Sequence, residues 1–198
     1  MRMITERLIL RPWADKDRSA MTRIYGDAHV RRFYHKMLTA EEANAEIDLA
    51  IERARTNGFD LQAAELKGSG ELIGMIGLRV LSEAVEAATP NHPCAEIRWM
   101  LAKEHWGKGL APEGARAWLD YAGSVGLREV VAFTAKENAP SQRVMEKIGM
   151  IYDPAGDYEN TKFGEDHWLR PHVVYRKRNL SFKSGIPSIE RIAGGLRE

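Results

Sequence analysis

Trp106-Gly107-Lys108-Gly109-Leu110-Ala111 is the stretch on which the fold turns. Before it, Glu96-Ile97-Arg98-Trp99-Met100-Leu101 reads as a strand. After it, Ala111, Ala115, Trp118, Leu119 and Ala122 recur at helical spacing. Pro112 falls in the first turn of that helix, where a missing N–H costs nothing. Two glycines at a strand-to-helix joint let backbone N–H groups face outward. The helix start adds about half a positive charge, so the joint suits a pyrophosphate. It is neither GxxxxGK[ST] nor GxGxxG. Taken alone, the loop could equally be a tight turn.

Outward from the joint, the pattern stays regular. Residues 129–135 form an apolar run like a strand covered on both faces, so one β–α–β crossover is expected. Asn138 caps a helix running to Lys147 and stopped by Gly149. Residues 150–152 and 172–176 are the last strand candidates. Toward the N-terminus, 71–81 and 59–66 read as a hairpin turned by Lys67-Gly68-Ser69-Gly70. Thr39 and Glu42 form a capping box. The helix they open carries Ala43, Ile47, Ala50, Ile51 and Ala54 on one face and ends at Asn57-Gly58. Residues 4–13 read as a strand, 15–25 as a short helix and 28–34 as another. Residues 82–94 are polar and read as a long loop. The expected class is therefore α/β (mixed α+β), as one domain over 1–179 with a tail at 180–198.

Composition narrows the function. The 198 residues carry 29 Lys plus Arg against 28 Asp plus Glu, a net charge of +1. Such a balance does not favour nucleic acid or an acidic membrane surface. No window approaches the ~20 apolar residues of a membrane span. A single cysteine, Cys94, excludes an internal disulfide, and a cytoplasmic location is expected. The spacing of His92, Cys94, Glu96 and His105 matches no zinc signature, so no metal is expected.

One further segment gives the loop its meaning: Asn138-Ala139-Pro140-Ser141-Gln142-Arg143-Val144-Met145-Glu146-Lys147-Ile148-Gly149-Met150. With the strand at 96–101 and the loop at 106–111, in that order, the chain resembles the GCN5-related N-acetyltransferases (GNAT), in particular the RimJ/RimL-like branch. The resemblance covers roughly 4–178. It implies a central mixed, mostly antiparallel sheet with flanking helices, in which two parallel strands splay apart around acetyl-CoA. Met100, Leu101 and Ala102 would offer backbone groups to pantetheine. Gly107, Lys108, Gly109, Leu110 and Ala111 would hold the pyrophosphate through backbone N–H groups. Trp106 stands where the wider superfamily has Gln or Arg. Asn138 would contact the pantetheine arm or the acetyl region.

Direct transfer to an amine needs a neutral nucleophile, a donor to the developing oxyanion and a proton for the thiolate. A backbone N–H near Leu101 is the expected oxyanion donor. Glu96 is the candidate base, with a surface or ion-paired carboxylate as the competing reading. His105, His167, His172 and Asp166 are weaker candidates. Many superfamily members carry a donor tyrosine where this chain has Met145, which leaves Ser141 as the nearest hydroxyl. A helix-start residue is the competing reading of Ser141. Residues 31–38 and 82–94 are expected to line the acceptor pocket, with Phe33, Tyr34 and Trp13 as candidate contacts. The acceptor is expected to be a peptide N-terminus or a small-molecule amine, and the protein a monomer or homodimer. A catalytically silent CoA-binding module is the second reading.

Overall fold

The computed structural model describes residues 1–81 and 94–178. The segment 82–93, which holds most of the expected long loop, and the tail from 179 lie outside the described residues.

The chain enters through two short strands, β1 (Met3–Ile4) and β2 (Leu8–Arg11), rather than one continuous strand. The break falls where Thr5 and Arg7 turn toward Glu113. A 3-10 turn leads into α1 (Arg18–Gly26), whose Met21, Ile24 and Tyr25 are buried. Residues 28–34 form turns, not the expected second helix. Asp27 Oδ1 accepts the N–H groups of His29 and Val30, a local alternative to helix propagation. Then α2 (Ala40–Asn57) starts at the Thr39/Glu42 capping box and ends at Gly58 in the left-handed region. Its buried face is Ala43, Ile47 and Ala50; Ile51 is exposed.

The hairpin of β3 (Leu61–Leu66) and β4 (Leu72–Val80) follows the expected bounds closely. Next come β5 (Cys94–Leu101), α3 (Leu110–Ser124), β6 (Glu129–Ala135) and α4 (Ala139–Lys147). Cys94 thus begins a strand rather than ending a loop. Last are β7 (Ile151–Tyr152), β8 (Tyr158–Glu159) and β9 (Pro171–Arg178).

The sheet order is β1-β2-β3-β4-β5-β6-β9-β7, with β8 also pairing β9. Every pairing is antiparallel except β5 with β6. These two strands pair only over Cys94–Glu96 and Glu129–Val131, and their remaining residues part. One apolar layer joins α3 and α4 to the sheet through Trp118, Ala115, Ile76 and Val130. A second joins α1 and α2 through Met21, Ile47, Met75 and Met100. Alternation on β5 therefore sends Ile97 and Leu101 to the first layer and turns Glu96, Arg98 and Met100 toward the second side. Among the described residues, no helix is long and apolar enough to cross a membrane.

Candidate active site

Where β5 and β6 part, a cavity of about 720 Å³ runs from the glycine loop to the 31–38 turn. That volume lies within the ~300–1,000 Å³ of small-molecule sites.

At one end stands the loop. Gly107 and Gly109 have φ of 74° and 76°, in the left-handed region that glycine enters without strain. The N–H groups of Gly107, Lys108 and Gly109 have no acceptor among the described residues. Those of Leu110 and Ala111 are first-turn groups without intrahelical partners. A Cβ at Gly107 would meet nothing within 4 Å, so the space over the loop is open. The residues present thus fit a bound pyrophosphate: a row of free donors at a helix start.

A brace behind the loop was not legible in the sequence. Arg7 Nη1 donates to the Lys108 carbonyl at 2.8 Å, and its Nε donates to Glu113 Oε2 at 2.7 Å. Glu113 also accepts from the Thr5 hydroxyl and the Arg7 N–H. Burial opposes the charge of Glu113, yet these bonds hold its carboxyl below the ordinary range. The residues come from opposite halves of the chain, so no local spacing announces the network.

Trp106 takes up a specific task. Its Nε1 donates to the Leu101 carbonyl at 2.8 Å, pinning the end of β5 to the loop. Arg32 stacks on its ring at 4.8 Å.

The phase of β5 revises the expected backbone contacts. Ala102 N–H donates to Ile73 O at 2.9 Å. Antiparallel alternation then turns the backbone groups of Met100 and Ala102 toward β4, and those of Trp99 and Leu101 toward the gap. Met100 and Ala102 are thus corrected as backbone donors to a ligand in the gap. Leu101 retains its N–H, and Trp99 joins it.

Asn138 is also occupied. As the N-cap of α4, its Oδ1 accepts from Ser141 N–H at 3.3 Å and its Nδ2 donates to Thr134 Oγ1 at 2.8 Å. The helix start is therefore satisfied by Asn138. Ser141 lines the cavity, and its hydroxyl makes no hydrogen bond to another described residue. Met145 is buried in the core beneath it.

The other end of the cavity is polar. Glu96 is buried, with Oε1 3.4 Å from Arg98 Nε. Burial raises its carboxyl above the ordinary range, although Arg98 and Arg79 act to lower it. Tyr158 lines the same end, packed edge-on against Phe133 and tilted over His172. Burial and the Glu96 charge push its phenol up to about 12, so it stays protonated near neutral pH. His172 is held below its usual value by burial, and Asn160 Nδ2 lies 3.3 Å from its Nε2. Such an imidazole is neutral near pH 7.

Of the expected acceptor-pocket residues, Phe33 and Tyr34 line the cavity. Trp13 instead donates to Leu61 O and packs with the second core. His105 sits at the loop end, with Nε2 3.3 Å from Glu71. Phe163 reaches the cavity, whereas His167 stacks behind it and Asp166 stays outside. Cys94 begins β5, at the end of the strand away from the glycine loop.

A sheet whose one parallel pair opens over a glycine-rich helix start defines the acetyltransferase class of fold. Residues 7–151 match the family model described as the acetyltransferase (GNAT) domain, and the chain belongs to that family. It is 30% identical over 148 residues to an uncharacterized N-acetyltransferase, YoaA, of Bacillus subtilis (strain 168), covering 73% of this chain and 80% of that one. Among solved structures, a GNAT-family acetyltransferase from Bacillus anthracis superposes with a TM-score of 0.73 at 25% identity, over 90% of this chain and 98% of that one. RimL, a ribosomal L7/L12 alpha-N-protein acetyltransferase solved with coenzyme A, shares the fold at 13% identity and a TM-score of 0.69, covering 89% and 96%.

Proposed function

We propose that the protein transfers an acetyl group from acetyl-CoA directly to a primary amine. The observation that carries this is the parting of β5 and β6 beside the free N–H groups of 107–111, with a buried carboxylate across the cavity. Acetyl-CoA supplies the thioester. The loop holds its pyrophosphate, and Trp99 and Leu101 offer backbone groups to the pantetheine arm in the gap. The Leu101 N–H stands as donor to the carbonyl oxygen as charge builds there. Glu96 accepts a proton from the incoming ammonium, directly or through water. Ser141 presents its hydroxyl to the thiolate. Coenzyme A bound to RimL, which has the same fold, supports the choice of co-substrate. Thiol release from acetyl-CoA across a panel of amines tests the reading. Binding of CoA with no release for any amine would favour a silent binding module.

Glu96 gives the reading a pH signature. A protonated carboxyl cannot accept a proton, so kcat/KM rises with pH through the raised Glu96 pKa and then levels. Glu96→Gln lowers kcat/KM by about 10²-fold and flattens that rise. An unchanged profile would make Glu96 structural.

Ser141→Ala is expected to bind CoA normally and to lose about 10-fold in kcat. A thiol is already a good leaving group, with a reference pKa of about 8.5, so its donor matters modestly. Weakened CoA binding at unchanged kcat would make Ser141 a binding contact instead.

A further inference from the structure

The acceptor end of the cavity holds more cations than the reaction requires. Arg98 is matched by Glu96, and Arg79 by Asp60 at 3.1 Å. Arg31 has no carboxylate at contact distance among the described residues, although Glu46 also lines the cavity. Its Nε donates to Lys36 O at 2.9 Å, and its guanidinium lies 4.2 Å over the Tyr34 ring and 5.6 Å from that of Tyr25. Both rings line the cavity with it. Among the described residues it forms no ion pair with a carboxylate, and its two terminal nitrogens have no hydrogen-bond acceptor. Burial holds the guanidinium below its ordinary value and the Arg98 charge adds to that, while Tyr34, Tyr25 and, from beyond ion-pair distance, Glu46 of the cavity lining act against it. A half-buried guanidinium clamped by its Nε and by two rings presents its free edge in a fixed direction. That fork matches the paired oxygens of a carboxylate or a phosphonate.

We infer that the acceptor is a small zwitterion, an amine that also carries a carboxylate or phosphonate, with the anionic group on Arg31 and the amine toward Glu96. The inference rests on the acetyl-transfer reading and narrows its substrate class. Opposite charges at the two ends orient the substrate. A polyamine would set its second cation against Arg31. A peptide N-terminus offers no anion there unless its first side chains are acidic.

The test uses matched pairs: free amino acids and their carboxamides, aminoalkylphosphonates and their neutral esters, peptides with and without an acidic second residue, and a polyamine. Thiol release is followed at saturating acetyl-CoA. The acidic member of a free small-molecule pair is expected to exceed its neutral partner by about 10–100-fold in kcat/KM, the value of a charged hydrogen-bonded contact. Arg31→Gln should collapse that ratio toward one, and Arg31→Lys should restore part of it. CoA titration and melting temperature check that both variants fold. Equal rates for acidic and neutral partners, or a preference for the polyamine, would overturn the inference while leaving acetyl transfer intact. So would a preference confined to acidic peptides. Loss of CoA binding by the wild type would instead overturn the underlying reading. If no amine turns over, an acidic amine must still raise the melting temperature of the wild-type CoA complex and not that of Arg31→Gln. Absence of that shift also overturns the inference.

Discussion

Gly109→Glu is expected to weaken acetyl-CoA binding by about 10²–10³-fold, with a folding loss limited to about 1–2 kcal/mol. Gly109 is the N-cap of α3 at φ 76°, so any side chain there costs about 1–2 kcal/mol of backbone strain. The larger effect is electrostatic. A carboxylate about 6 Å from a pyrophosphate charge costs about 3 kcal/mol at an effective dielectric of 20. The fold should tolerate the change because a Cβ at this position meets only Arg7 Nη2, at 3.5 Å. Gly109→Ala separates the two contributions: it adds strain without charge and should lose about tenfold or less. Calorimetric titration of CoA into both variants, with melting curves as a folding control, measures the difference. Unaltered affinity in Gly109→Glu would remove the loop from the binding site.

Gly74→Ala should destabilise the protein by about 3 kcal/mol or more. Gly74 faces Leu101 across β4 and β5 at φ 144°. A Cβ there would lie 2.1 Å from Met100 O and 2.8 Å from Leu101 Cα. Both are backbone atoms, so relief requires moving one strand away from the other. For a chain of this size, 3 kcal/mol corresponds to about 6–12 °C in Tm. Gly114→Ala is the informative contrast. Its added Cβ would meet Ile76 Cδ1 at 2.5 Å, the far end of a flexible side chain that can turn aside. Thermal unfolding should rank Gly74→Ala well below Gly114→Ala. A wild-type melting temperature for Gly74→Ala would refute the close approach of the two strands. Any Gly74 variant that folds should also bind CoA less well, because shifting Leu101 moves its N–H in the gap.

Much of the architecture is written locally. The capping box at Thr39 and Glu42, the Gly58 stop, the Asn138 cap and the glycine loop before Pro112 each act over a few residues. Composition and spacing alone therefore sufficed to place them. The same holds for the alternation of the 59–81 hairpin and the apolar run of β6. The 28–34 segment was misread because one side chain, Asp27, competes with helix propagation there.

From its sequence alone this chain determined most of its elements, the glycine-rich strand-to-helix joint and the family it resembles. All of these depend on residues near one another in the chain. Only the tertiary structure decided the phase of β5, which turns Trp99 and Leu101 rather than Met100 and Ala102 to the gap. It alone joined Thr5 and Arg7 to Glu113, and brought Arg31 to the cavity holding Glu96. Each of these is a contact between segments distant in sequence. Local propensity has no bearing on such contacts, because their geometry exists only once the sheet has been assembled and its register set.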